Sequence, residues 1–219
     1  MGTVTEYMRM LEALTCMYTV EEGHVKILLI RKETEPYKGY WVLPRKYVRV
    51  DTTVEEAVKE TIMETTGLEQ IHMEESYVYS NPDRDPEKPV VGISYLCLCD
   101  HYAKETMEQT ENIKWFDIET LPKLGYDHET MISDMTHQLR NKIVDSDILK
   151  KLFPSDFTLP EIQRVYESIL GRKFDRRNFR KKFILLDLIE DTNDCFVGGT
   201  GRPAKLYRFK ENTKKKNLF

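Results

Sequence analysis

Residues 41–68, WVLPRKYVRVDTTVEEAVKETIMETTGL, contain a proline turn, a short connector and a segment with helical periodicity. The side chains at positions 54, 57, 58, 61 and 62 fall on one face of a helix. Thr52 or Thr53 can cap its start, and a glutamate three residues later completes a capping box in either case. Gly67 can end the helix because glycine adopts positive φ without Cβ strain. The stretch therefore predicts an amphipathic helix that packs on a neighbouring layer.

Apolar segments on both sides of this helix have the composition of β-strands. They are rich in β-branched and aromatic residues, or they alternate between apolar and polar side chains. The predicted strands are residues 14–20, 25–32, 72–80, 90–100 and 113–117. A Glu-Glu-Gly-His hairpin signal joins the first two, and helical periodicity returns at residues 127–152. Strands interrupted by one helix and followed by a second predict an α+β body.

The composition is that of a folded protein whose charge is separated along the chain. Hydrophobic residues make up 40% of 219 residues, and no apolar run is long enough to span a membrane. Four cysteines without a CxxC pair indicate a reduced, cytoplasmic protein. Residues 1–149 carry 16 Lys and Arg against 28 Asp and Glu, a net charge of −12, whereas residues 150–219 carry 17 against 9, a net charge of +8. This asymmetry predicts two domains, the second of which faces a polyanion.

The basic end has the pattern of a winged helix-turn-helix. Residues 158–161, TLPE, predict a capping box with proline in the first helical turn, and Gly171 can end that helix. Asp175 can cap a second helix, in which Phe179 and Phe183 point inward. Residues 195–197 and 205–209 flank the glycine-rich segment GGTGRP and predict a β-hairpin, the expected wing. Such a fold places its second helix in the major groove of DNA.

DNA contacts are expected from side chains of this second helix and of the wing. Arginine and asparagine can bind guanine and adenine edges, whereas lysine mainly binds phosphates. The candidate DNA-binding residues are Arg176, Arg177, Asn178, Arg180, Lys181, Arg202 and Lys205. A solvated helix face is the alternative, and the run KKK at 214–216 fits a disordered basic tail from about residue 211. The single sign of the charge over three helical turns favours DNA.

The outline of residues 41–68 resembles the Nudix box, a strand–loop–helix element on which Nudix enzymes hold Mg²⁺ and cleave nucleoside diphosphate derivatives. The family pattern is a glycine, five residues, a glutamate, seven residues, then Arg-Glu-apolar-x-Glu-Glu-x-Gly-apolar. Aligned on Gly67, the residues at its Gly, first Glu, Arg, second Glu and last Glu positions are Lys46, Thr52, Glu60, Thr61 and Thr65.

Most of the metal-binding carboxylates of the pattern are therefore missing. Mg²⁺ needs several closely placed oxygen ligands, and of the pattern's glutamates only Glu64 remains. Glu60 could compensate, but it lies at a different angular position of the helix. No metal site and no catalytic residue is expected, with Glu64 as the one residual candidate for metal binding.

Two further stretches resemble Nudix-related transcriptional regulators of the NrtR and AraR type. These are DRDP at 83–86 with VVGISY at 90–95, and GYDHETMI at 125–132, which opens the linking helix of those proteins. The resemblance implies a Nudix-like α/β/α sandwich with a mixed sheet at residues 1–150, including a linking helix at 126–152, and a winged helix at 151–219. Effector contacts are expected from Arg31, Tyr37, Trp41, Arg84, Asp85 and His128. Alternatively, Arg84 braces its own loop through Asp83 or Asp85, and His128 is a surface residue.

The resemblance also implies a function, namely that of a homodimeric bacterial repressor or activator bound to a palindromic operator. Its Nudix-like domain would bind a small effector without a cofactor, and DNA affinity would change on binding. Effectors known in the family include ADP-ribose-type nucleotides and pentoses, and the loss of metal ligands favours a neutral sugar. The alternatives are a Mg²⁺-dependent hydrolase of a diphosphate such as ADP-ribose, and an adaptor that binds protein instead of DNA.

Overall fold

The computed structural model describes residues 8–100, 107, 110–143, 146–153, 156–196 and 203–210. The chain divides into two compact units. The first contains Met1–Tyr18 and Lys26–Met135, and the second contains Thr19–Val25 and Thr136–Phe219.

The first unit is built on a mixed sheet. Its strands are β1 (Met10–Glu21), β2 (His24–Arg31), β3 (Trp41–Val42), β4 (Arg45–Tyr47), β5 (His72–Tyr79), β6 (Val90–Leu98) and β7 (Ile113–Asp117). Their order is β3-β2-β1-β6-β5, with β4 paired to β1 and β7 paired to β2. β1 and β6 run parallel, whereas β5 and β6 run antiparallel, so the predicted mixed sheet is confirmed. Strands as short as β3 and β4 leave no periodic signal in the sequence.

Helix α1 (Val54–Thr66) covers one face of this sheet. Thr53 Oγ1 accepts a hydrogen bond from the Glu56 N–H (3.1 Å), and the Glu56 carboxylate accepts one from the Thr53 N–H (2.7 Å), which is the predicted capping box. Gly67 ends the helix with φ 73°, as predicted. The buried face of α1 packs on alternate, same-facing side chains of the central strands. This cluster contains Ala57, Val58, Ile62, Ala13, Met17, Tyr95 and Cys97.

The helical segment after the sheet forms two helices, α2 (His128–Lys142) and α3 (Ser146–Leu152). The single linking helix predicted over residues 126–152 is therefore wrong. The residue types at 145–147, Asp-Ser-Asp, are ones that favour a helix start over a helix interior. The first turns of α2 cover the second face of the sheet, where Tyr18 Oη donates to the Ile132 carbonyl (3.4 Å). The α/β/α arrangement of this unit is confirmed.

The second unit contains the winged helix. Helices α4 (Leu159–Leu170) and α5 (Arg176–Leu185) are followed by the antiparallel strands β9 (Ile189–Phe196) and β10 (Ala204–Phe209), with β8 (Phe157–Thr158) completing the sheet. Thr158 and Asp175 cap the two helices as predicted. Phe179 and Phe183 stack at 4.7 Å between ring centroids, and both rings contact Tyr166. Residues 197–202 of the wing, with Arg202, and the tail from 211 lie outside the described residues.

The four cysteines are free thiols, of which Cys16, Cys97 and Cys99 are buried and Cys195 is exposed. Burial raises the pKa of the Cys16 and Cys97 thiols, so both stay protonated inside the core. Over the described part of the chain, no helix has the length and apolar character that a membrane span requires.

Candidate effector site and DNA-binding surface

Four charged side chains form a buried ion cluster at the start of α2, composed of Glu12, Arg45, Arg84 and Asp127. Arg84 Nη1 donates to Glu12 Oε2 (3.0 Å), while its Nε and Nη2 donate to the two Asp127 oxygens (3.0 Å each). Arg45 Nη1 donates to the other oxygen of Glu12 (2.6 Å). Two arginines thus balance two carboxylates that the chain brings together from β1, β4, the loop before β6 and the residue before α2.

Arg84 is almost fully inaccessible to solvent, with a side-chain exposure of 2%. Burial acts to lower the pKa of its guanidinium, but the hydrogen bonds to Asp127 and Glu12 outweigh burial, and the net pKa is raised. Gly92 in β6 makes room for it, because a Cβ there would lie 2.9 Å from Arg84 Cζ. The expectation that Arg84 braces its loop through Asp83 or Asp85 is therefore wrong, since its partners lie in β1 and beside α2.

Asp85 braces the loop by itself. Its Oδ1 accepts hydrogen bonds from the backbone N–H groups of Glu87 (2.8 Å) and Lys88 (3.2 Å), and its Oδ2 lies 3.9 Å from Arg45 Nη1. An Asp side chain that bonds backbone two and three residues later is a common way to fix a turn. The geometry thus gives Asp85 an internal structural role next to the buried ion cluster.

His128 is fully buried at the first position of α2, so its interpretation as a surface residue is wrong. Its Nδ1 accepts a hydrogen bond from the Leu43 N–H (2.9 Å), which requires the neutral ring with hydrogen on Nε2. Burial, and then the charges of Arg45 and Arg84, hold the pKa of His128 well below its usual range. Nε2 has no hydrogen-bond partner among the described residues. The imidazole therefore ties Leu43, the residue after β3, to α2 and leaves one buried donor available.

Aromatic side chains lie next to Arg45 of the buried ion cluster. The ring centroid of Tyr126 lies 4.8 Å from that of Tyr37 and 5.4 Å from that of His128. The guanidinium carbon of Arg45 lies 4.1 Å from the Tyr126 centroid, and Arg45 Nη2 donates a hydrogen bond to Tyr126 Oη (2.7 Å). Tyr37 and Tyr126 both have positive φ, 69° and 57°. Backbone strain of this kind in non-glycine residues concentrates at functional sites. We refer to Tyr37, Tyr126 and Arg45 as the aromatic–arginine site.

The remaining effector candidates lie at the margin of this site. Trp41 in β3 packs edge-on against Phe116, with 4.6 Å between centroids. It pairs with Arg31 across the β2–β3 ladder, and Arg31 is exposed. The rings of Tyr37 and His128 thus both contact the ring of Tyr126. Arg84 shares the carboxylate of Glu12 with Arg45, and Asp85 lies 3.9 Å from Arg45. The effector roles of these side chains remain predictions.

The charged residues of the box segment pair with one another. Lys46 Nζ lies 2.9 Å from Glu60 Oε2 and 2.5 Å from Glu64 Oε1. Arg49 donates two hydrogen bonds of 3.0 Å to the two oxygens of Glu60. Glu60 and Glu64 lie one helical turn apart, and both carboxylates bind the Lys46 ammonium. We call Lys46, Arg49, Glu60 and Glu64 the box salt-bridge cluster.

Helix α5 presents a one-signed surface in the second unit. Arg176, Arg177, Asn178, Arg180 and Lys181 are all exposed, while Phe179 and Phe183 hold the opposite face in the core. None of the four cations makes an ion pair with any residue that the structure describes. Arg176 and Arg177 occupy the first turn, where the helix dipole disfavours cations by about 0.3–1 kcal/mol each. An arrangement that weakens the helix favours a role in binding an anion.

The wing has one candidate within the described residues. Lys205 in β10 pairs with Asp191 of β9 at 2.5 Å, so its charge is already balanced. Both side chains keep solvent access, with exposures of 60% and 34%. Lys205 is therefore a weaker candidate for a phosphate contact than the unpaired cations of α5.

Comparisons with known proteins identify both units. Residues 9–135 match the NUDIX domain, and residues 139–209 match the NrtR DNA-binding winged helix domain. The chain is 31% identical over 198 residues to the ADPR responsive transcriptional repressor NtrR of Acinetobacter baylyi, covering 88% of this chain and 79% of that protein. This chain belongs to the NrtR family of Nudix-domain transcriptional regulators. The resemblance inferred from its motifs is confirmed.

Two further relatives of this NrtR-family protein match nearly the whole chain and half of it, respectively. The crystal structure of Shewanella oneidensis NrtR complexed with a 27mer DNA aligns with a TM-score of 0.76 at 27% identity, covering 91% of this chain and 93% of that chain. The ADP-ribose pyrophosphatase of Methanocaldococcus jannaschii is 39% identical over 109 residues, 50% of this chain and 64% of that enzyme. The first unit is thus similar both to an enzyme and to a regulator.

The Mg²⁺ that Nudix enzymes hold on the box does not fit the donor set of this NrtR-family protein. The hydroxyls of Thr61 and Thr65, at two positions aligned with box glutamates, donate to the carbonyls of Ala57 (2.7 Å) and Thr61 (2.6 Å). Glu60 and Glu64 are bound by Lys46 and Arg49. Among the described residues, no group of three or more His, Cys, Asp or Glu side chains is placed to hold a metal ion.

Sequence reasoning missed Glu12, Arg45 and Tyr126. A lone glutamate in the apolar strand segment MLEALTCMYTV, paired with nothing nearby, was the available signal for Glu12. Arg45 directly precedes the position of the box glycine, and that position indicates nothing about its partners. The residues around Tyr126 do not reveal its positive φ or its contact with Arg45.

Proposed function

We propose that this protein is a homodimeric cytoplasmic repressor that binds operator DNA through α5 and the wing, and whose first unit senses a nucleotide of the ADP-ribose type without hydrolysing it. The observation that carries the proposal is the exposed, unpaired cationic surface of α5 in a chain of the NrtR family. The name of the Acinetobacter relative, an ADPR responsive repressor, supports the nucleotide over a neutral sugar.

DNA binding by α5 follows from its exposed side chains. Arg176, Arg177 and Arg180 are exposed forks that can bind phosphates or the O6 and N7 atoms of guanine, and Asn178 can bind adenine. Because these arginines make no ion pairs with the described residues, they can bind DNA phosphates and release counterions from the DNA without breaking ion pairs in the protein. Two copies of α5 in a dimer would read a palindrome at a spacing of about one DNA turn.

Effector binding is proposed at the aromatic–arginine site. Tyrosine rings offer stacking surfaces for a base, and Arg45 adds a cation beside them. Tyr126 lies just before α2 and its ring contacts His128, the first residue of that helix. A ligand that binds Tyr126 would therefore lie next to the start of α2. A ligand that binds one arrangement of this helix better than another shifts the population between them.

The proposal is tested by fluorescence anisotropy with duplexes from the neighbourhood of the protein's own gene. Arg180→Ala should weaken specific binding by at least tenfold, whereas Lys59→Ala, which removes an exposed cation from α1, should leave it unchanged. Arg180→Lys separates the two contact types, because lysine keeps a phosphate contact and loses a bidentate base contact. Equal DNA affinity of the wild type and Arg180→Ala would refute the assignment of α5.

A Mg²⁺-dependent hydrolase is the second candidate, and the 39% identity to an ADP-ribose pyrophosphatase favours it. Glu64 is the residue of the box on which such activity would depend. If the wild type releases AMP from ADP-ribose with Mg²⁺ and Glu64→Gln abolishes the release, the hydrolase function holds and a pure sensor is excluded. We expect no release above that of Glu64→Gln.

A further inference from the structure

The box salt-bridge cluster joins the sheet to α1 at the place where the family holds a metal ion. Lys46 lies in β4, in register with Ala13 of β1, so the stem of its side chain starts from the sheet. Its ammonium contacts carboxylates on two successive turns of α1. Arg49 approaches Glu60 from the connector between β4 and α1, and its Nε lies 3.4 Å from Asp51.

Lys46 and Glu60 both remain ionised at neutral pH. Hydrogen bonds from Arg49 and then Lys46 lower the pKa of Glu60 to about 2. Hydrogen bonds to Glu64 and then Glu60 raise the pKa of Lys46. Each of the two box carboxylates, Glu60 and Glu64, is therefore already bound by a cation, so neither is free for a divalent ion.

We propose that Lys46 and Arg49 replace the divalent cation of the Nudix box, so that this protein binds its effector without Mg²⁺. The proposal rests on the proposed effector-binding function. It adds a physical reason for metal independence, because a metal ion near Glu60 and Glu64 has to approach two anchored cations. A unit charge about 4 Å from a divalent ion in water corresponds to roughly 30-fold in affinity.

The first experiment needs no effector. Binding of Mn²⁺, monitored by the loss of the free-ion signal in electron paramagnetic resonance, is compared for wild type, Lys46→Met and Lys59→Met. Lys59 pairs with Glu55 on the exposed side of the same helix and is the matched control. Lys46→Met should bind Mn²⁺ roughly 30-fold more tightly than wild type, whereas Lys59→Met should match wild type.

The second experiment measures ADP-ribose binding by titration calorimetry in Mg²⁺ and in EDTA. The same affinity in both supports metal independence, and an affinity lost in EDTA overturns it. Absence of ADP-ribose binding in both buffers refutes the proposed effector and leaves the Mn²⁺ comparison to decide the role of Lys46. Tight Mn²⁺ binding by the wild type, unchanged in Lys46→Met, also overturns the proposal. Tryptophan fluorescence of each variant shows that the first unit, which contains Trp41 and Trp115, is folded.

Discussion

Replacing Arg84 with methionine tests the buried ion cluster. The substitution keeps an unbranched side chain of similar length and removes three hydrogen bonds to carboxylates, one to Glu12 and two to Asp127, as well as a weaker one to Met131 Sδ. Breaking a buried ion pair from one side costs about 3–5 kcal/mol when the remaining charge has no partner. Glu12 retains Arg45 and Asp127 is 23% exposed, so both charges are partly compensated. We therefore expect a loss of about 3 kcal/mol in the free energy of unfolding.

Urea denaturation followed by tryptophan fluorescence measures this loss in the first unit. A second variant, Glu12→Gln, removes the most buried charge, so Arg84→Met should cost less in that background than in the wild type. A loss below about 1 kcal/mol for Arg84→Met would refute the structural role of the ion cluster. If such a variant also failed to bind ADP-ribose, Arg84 would be a ligand contact instead.

Three other substitutions test separate contacts. His128 is neutral in the folded protein and protonates below about pH 6.5 in the unfolded chain. Its contribution to the free energy of unfolding is therefore complete above that pH and decreases as the pH falls. Between pH 7 and pH 5, the wild type should lose about 2 kcal/mol more stability than His128→Asn, measured by denaturation at each pH. Gly92→Ala places a Cβ 2.9 Å from Arg84 Cζ and should cost about 1–3 kcal/mol in the same assay, whereas an unchanged midpoint would contradict the close contact. Phe183→Ala empties the centre of the winged helix and should cost that unit about 3–5 kcal/mol, measured by far-ultraviolet circular dichroism; a smaller change than for an exposed Ile184→Ala would contradict the packing.

Features that depend on neighbouring residues could be predicted from the sequence. The capping boxes at Thr53 and Thr158 involve a glutamate three residues later, and both helices end at a C-terminal glycine with positive φ. Such contacts form between residues that are always close, so the residue types alone indicate them. The order of strands and helices followed from the same kind of local pattern.

Contacts between distant residues could not be predicted in this way. Arg84 binds Glu12 and Asp127, which are 72 and 43 residues away, whereas the sequence suggested partners within its own loop. Likewise, Lys46 reaches Glu64 across 18 residues because β4 lies against α1. The sequence predicts that most of the box carboxylates are missing, but only the folded chain shows which cations bind Glu60 and Glu64.

The most direct measurement of the central claim is the anisotropy of a labelled operator duplex titrated with the full chain at physiological salt, with and without ADP-ribose, in EDTA. We predict that the protein binds the operator at least about 10³-fold more tightly than a scrambled duplex, with a steep dependence on salt, and that ADP-ribose changes the operator affinity without metal. Equal affinity for both duplexes, or an operator affinity that ADP-ribose leaves unchanged, would contradict it.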